Sequence, residues 1–112
     1  MLTQHTQNFH LNPALIPFGS SSDLNLEPGS YLCTIRAEHG DLIFHHLAYD
    51  IYNGTWTNAS ASHEPESLII HEGETKDFQF TCCTSGGYPD DISIVNNSYF
   101  KSADFTCTYI AQ

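Results

Sequence analysis

The chain has 112 residues, 3 Lys+Arg against 13 Asp+Glu for a formal charge of −10 at pH 7, and 40% hydrophobic residues. That is the length of one domain, and the composition is too apolar for a disordered chain. So few basic residues exclude a nucleic-acid footprint and attraction to anionic membranes, and no apolar run approaches the roughly 20 residues of a spanning helix.

The start, Met1-Leu2-Thr3-Gln4-His5, has neither a basic n-region nor an apolar h-region. No signal peptide is expected, so the chain is read as cytoplasmic when synthesised and as reaching an outside target by release. Residues 1–12, rich in Gln, His and Asn, are read as a loose N-terminal arm, and 13–112 as a single domain. Ala14–Phe18 reads as an edge strand limited by Pro13 and Pro17.

Strict alternation then sets a series of strands. Tyr31, Cys33, Ile35 and Ala37 share one face of the first. Leu42–Tyr52 carries Ile43, Leu47 and Ile51 at helical spacing, yet it also alternates. Asn53-Gly54 followed by Thr55-Trp56-Thr57 decides for a hairpin, His46–Tyr52 against Thr55–Ser60, with Tyr52 opposite Thr55 and Ile51 opposite Trp56. Trp56 is expected in the core with Ile51 and Tyr49. Ser67–His71 and Ile92–Val95 are short strands. Asp77–Thr84 turns Phe78, Phe80 and Cys82 inward, and Asp104–Ile110 does the same with Phe105, Cys107 and Tyr109. Seven or eight short strands predict an all-β, single-domain antiparallel β-sandwich of the jelly-roll kind. The runs 24–29 and 68–73 share an order of strand and Gly turn, which either a vestigial repeat or ordinary strand–turn–strand grammar produces.

Cys33, Cys82, Cys83 and Cys107 contain no CxxC, so zinc-ribbon and thioredoxin readings have no support. Reduced, mostly buried thiols are expected, with Cys82–Cys107 as the first pair to examine for a disulfide. Three sequons, beginning at Asn53, Asn58 and Asn96, matter only in a secreted eukaryotic context. All seven histidines precede residue 72, and the neighbours His45 and His46 point to opposite strand faces. Without HxH or HExxH, no metal site and no cofactor are expected. The histidines read as surface or edge groups that move the net charge from −10 towards −3 as they protonate.

No GxSxG, P-loop or dinucleotide fingerprint is present, so no catalytic residue is assigned and the chain is not expected to be an enzyme. The carboxylate pairs Glu64/Glu66 and Asp90/Asp91 flank prolines and read as turn residues. A ligand site has better support. Tyr52-Asn53-Gly54 and Gly86-Gly87-Tyr88-Pro89-Asp90-Asp91 each set an aromatic ring beside groups that hydrogen-bond hydroxyls. Tyr52, Asn53, Tyr88, Asp90 and Asp91 are therefore the candidate ligand-binding residues, contacting a glycan or cell-surface receptor. The alternative from charge is an acidic interaction module or inhibitor that docks on a basic partner.

Asp91-Ile92-Ser93-Ile94-Val95-Asn96-Asn97 and Phe105-Thr106-Cys107-Thr108-Tyr109-Ile110 resemble the closing strands of the small A component of Pir-type binary insecticidal toxins. The order from Gly40-Asp41-Leu42-Ile43 through Gly54-Thr55-Trp56 to His71-Glu72-Gly73-Glu74-Thr75 is similar as well. Aegerolysin-like sandwiches share this grammar. The resemblance implies a jelly roll like the third domain of crystal toxins. It also implies a receptor- or glycan-recognising component, lectin-like in role, that partners with a larger pore-forming subunit.

Overall fold

The computed structural model describes residues 4–16, 18–58 and 67–112. Pro17, the hairpin residues 59–60, the sequon completed by Ser60, and the Glu64/Glu66 pair lie outside them. Among the described residues there are eleven strands and no helix, hence none long and apolar enough to cross a membrane. Eight have four residues or more: β1 (Gln4–Leu11), β3 (Gly29–His39), β4 (Leu42–Asp50), β5 (Thr55–Asn58), β6 (Ser67–Ile70), β7 (Thr75–Cys82), β10 (Asp91–Asn96) and β11 (Ala103–Ala111). The short β2 (Ser21–Asp23), β8 (Thr84–Ser85) and β9 (Tyr88–Pro89) complete the set.

One sheet runs β1-β11-β3-β7, and the other runs β2-β10-β4-β5 with β6 also on β4. All pairings are antiparallel, and the chain crosses repeatedly from one sheet to the other, as a jelly roll requires. The alternation read from the sequence is what closes it. Tyr31, Cys33, Ile35 and Ala37 of β3, Phe80 and Cys82 of β7, and Phe105 and Cys107 of β11 are buried. They meet Leu42 and Phe44 of β4 and Ile92 and Ile94 of β10 from the facing sheet. Phe44 joins the layers through Phe78 and Phe80, with ring centroids at 4.6 and 5.6 Å. Each buried Ile, Leu or Phe among them contributes roughly 1.5–3 kcal/mol by burial.

Four expectations change. The N-terminal arm is not loose, because Gln4–Leu11 pairs along the whole of β11. Phe9 stacks on Phe105 at 4.7 Å and Leu11 is buried, while the polar residues of the strand face solvent, as suits an edge strand. Ala14–Ile16 is a turn rather than a strand. Its amides at Ala14 and Leu15 donate to Ser98 and Tyr99 carbonyls, and Ile16 closes back on Pro13.

The hairpin register also differs, since Tyr49 opposes Trp56 and Asp50 opposes Thr55. Asp50 wins over the Asn-Gly signal. Its carboxylate accepts the amides of Tyr52 and Asn53 and the Asn53 side chain, making a four-residue loop with Gly54 at φ +66°. Finally, the close cysteine pair is Cys33 and Cys107, with sulfurs 3.6 Å apart, while the Cys82 thiol donates to the Leu26 carbonyl. The inward faces were read correctly, but diagonal register across β3 and β11 decides which thiols meet.

Candidate functional site

At one end of the sandwich the segment after β2, the β5 strand and the β9–β10 turn border an open groove of about 640 Å³. That volume suits a small ligand. Trp56 and Tyr88 stand on its walls together with Asp23, Glu27, Asp90 and Asp91, and Asn25 offers an amide.

The aromatic part is ordered by packing. Because Tyr49 opposes Trp56 across the hairpin, their rings meet edge-on at 5.3 Å. Tyr88, brought in by the β8–β9 hairpin, lies 4.4 Å from Tyr49 and 6.4 Å from Trp56. Trp56 is 41% exposed and Tyr88 51% exposed. Trp56 was expected in the core. It sits instead at the groove, its indole partly exposed and in ring contact with Tyr49 and Tyr88.

The acidic part is uneven. Asp90, expected as a surface contact, buries its carboxylate at 2% exposure, with Oδ2 2.8 Å from His46 Nε2 and accepting the Cys83 amide at 3.0 Å. His46 is itself fully buried, on the Leu42–Phe44 face of β4 and against Phe80 at 5.9 Å. The expectation of surface histidines therefore fails at this position. A polar side chain is tolerated there because a carboxylate meets it. Asp91 points the other way. Partial burial first, and then the neighbouring Asp23 carboxylate, hold its carboxyl above the ordinary range, with His45 opposing. None of the chain's three Lys and Arg residues lines the groove.

Of the five residues singled out from sequence, the fold brings Tyr88, Asp90 and Asp91 to the groove. Tyr52 and Asn53 are at the same end but do not line it. Tyr52 is 93% exposed at the hairpin tip, and the Asn53 amide is held by Asp50. The two loops still meet, because a Cβ on Gly86 would lie 2.6 Å from Ile51 Cγ2. With φ +58°, Gly86 is the residue that allows this approach. The sequence reading missed Tyr49, Asp23 and Glu27. Tyr49 was legible as the same-face partner of Trp56, whereas Asp23 and Glu27 carry no local signal and arrive through β2 pairing with β10.

Comparison with known proteins supports the architecture. Neither the family models nor the curated proteins give a match. Among solved structures, PirA is similar over 94% of this chain and 92% of its own, with 15% identity and a TM-score of 0.53. A chain from the disulfide-linked pili of Bacillus endospore appendages is similar over 99% of this chain and 88% of its own, with 12% identity and a TM-score of 0.50. The molecule thus has an all-β sandwich fold shared with PirA, as the sequence resemblance implied.

Proposed function

We propose that this chain is a non-enzymatic recognition module that binds a glycan, free or on a cell-surface receptor, in the groove between Trp56, Tyr88 and Asp91. The carrying observation is the half-exposed Trp56–Tyr88 pair, braced from behind by Tyr49 and bordered by carboxylates and the Asn25 amide. An aromatic face takes the C–H side of a sugar ring, and the polar groups around it fix the hydroxyls. The fold shared with PirA and the resemblance to the A component of Pir-type toxins support a place in a toxin system with a larger protein subunit. The exposed Phe18, Tyr99 and Phe100 at the opposite end offer that subunit an apolar contact separate from the groove.

The test is binding of the labelled protein to a broad glycan array at neutral pH and physiological salt. Saturable binding to one sugar class is expected. Trp56→Ala and Tyr88→Ala abolish it while the protein stays folded, with a Tm drop of about 2–6 °C from the lost ring contacts of about 0.5–1.5 kcal/mol. Tyr52→Ala leaves it intact. A blank array from folded protein, or binding that survives both groove substitutions, refutes the reading.

A further inference from the structure

No Lys or Arg answers the carboxylates around the groove; His46 meets Asp90 and His45 lies near Asp91, which leaves Asp23 and Glu27 without a basic side chain beside them among the described residues. Arg36 lies on the outer face of β3 and donates to Thr75, Lys76 pairs with Glu74 at 3.4 Å, and Lys101 borders Asp41 and Glu72 at the opposite end. A protein with only these three basic residues has placed none of them beside Asp23, Glu27, Asp90 and Asp91.

Two further features bear on the charge of the groove. Asp90 spends Oδ2 on His46 and the Cys83 amide, while its buried Oδ1 has no hydrogen-bond partner among the described residues. Asp91, partly buried beside the Asp23 carboxylate and only partly offset by His45, is in an arrangement that a further positive group would relieve. The aromatic rings add to this preference. Trp56 and Tyr88 stand nearly perpendicular, at 83°, and the face of an electron-rich ring attracts an ammonium group within about 6 Å.

We infer that the groove selects a sugar carrying a protonated amine, an amino sugar whose nitrogen is not acetylated, with the amine seated between Asp23 and Asp91 and the ring carried by Trp56 and Tyr88. This rests on the glycan reading above and narrows it to a ligand class. N-acetylation removes the charge while keeping the ring and most hydroxyls, so it separates this inference from general sugar binding. Asn25 and Glu27 remain available for the hydroxyls.

The experiment titrates the isotopically labelled full chain by NMR at about pH 6.5, where an amine of ordinary pKa is protonated. The probes are fully deacetylated chitotriose, its triacetylated form, maltotriose and trilysine. The expected result is shifts centred on Trp56, Tyr88 and Asp91, with the deacetylated trimer binding at least about tenfold tighter than the acetylated one, a difference of about 1.4 kcal/mol. Asp23→Asn and Asp91→Asn each weaken it several-fold with Tm unchanged, and raising the salt weakens it further.

Equal or tighter binding of the acetylated or neutral trimer in the same groove overturns the amine while leaving the glycan reading in place. Groove binding by trilysine but by no sugar overturns it in favour of a basic protein partner. No groove shift with any probe overturns it outright, and the array then judges the glycan reading separately.

Discussion

Replacing His46 by leucine removes the partner of a carboxylate that the fold keeps out of water. The two side chains are 0% and 2% exposed and 2.8 Å apart, so nothing but protein screens the charge left behind. Breaking a buried pair from one side costs about 3–5 kcal/mol. In a domain of this size each kcal/mol is worth about 4 °C or more in Tm, so His46→Leu should lower it by roughly 12 °C or more. Asp90→Asn keeps an acceptor for the Cys83 amide and removes the charge, so it should cost less. The double variant should be less destabilised than the sum of the singles by about 1.5 kcal/mol or more, because it leaves no buried charge unpaired. Urea unfolding of all four proteins, followed by far-UV circular dichroism, measures the cycle. A His46→Leu cost below about 1 kcal/mol, or strict additivity, would show that the pair does not anchor the β9–β10 wall and that the argument from burial is wrong.

Leu11→Ala should destabilise by about 2–5 kcal/mol, since Leu11 is 2% exposed at the end of an N-terminal strand that is part of the sandwich. A cost near zero in denaturant unfolding would return the segment to a loose arm. Thiol titration of the native protein should find one fast cysteine, Cys83, and the other three only on unfolding. Cys82 is pushed up to about 11, mainly by burial, and Cys33 is pushed up by its hydrogen bond to Cys107 and by burial. Two or more fast thiols would contradict that burial. The Asp50 carboxyl is held below its ordinary value by the Asn53 side chain and then by the Tyr52 and Asn53 amides. Its contribution is thus present above the ordinary carboxylate value of about 4 and lost as pH falls through the lower folded value. The Tyr52 and Asn53 amide resonances should be constant above about pH 5 and move below about pH 4. Resonances that stay constant down to about pH 2 would rule out the Asp50 cap.

The β-architecture was legible in the order of residues because strand alternation has a period of two and is local. Tyr31, Cys33, Ile35 and Ala37 announce an inward face whatever they meet, and so do Phe105 and Cys107. His46 was legible by the same rule, two residues beyond Phe44 on the same face, although histidine's usual preference for the surface argued against it. Tyr88 and Asp91 were also legible, because a Gly-Gly turn beside an aromatic and two acids is a loop signal.

What contacts what across the fold was decided elsewhere. The polar run Gln4–Leu11 becomes a strand only because β11 offers it an edge, with partners about a hundred residues away, such as Thr6 and Thr108. The hairpin register turned on Asp50 satisfying three donors at once, which outweighs a favourable Asn-Gly pair. Trp56 lines the open groove beside Tyr88, and Asp23 reaches that groove because β2 pairs with β10. Those outcomes depend on which backbone edges are free and which buried polar groups find partners. Both are properties of the assembled sheets, and no window of neighbouring residues contains them.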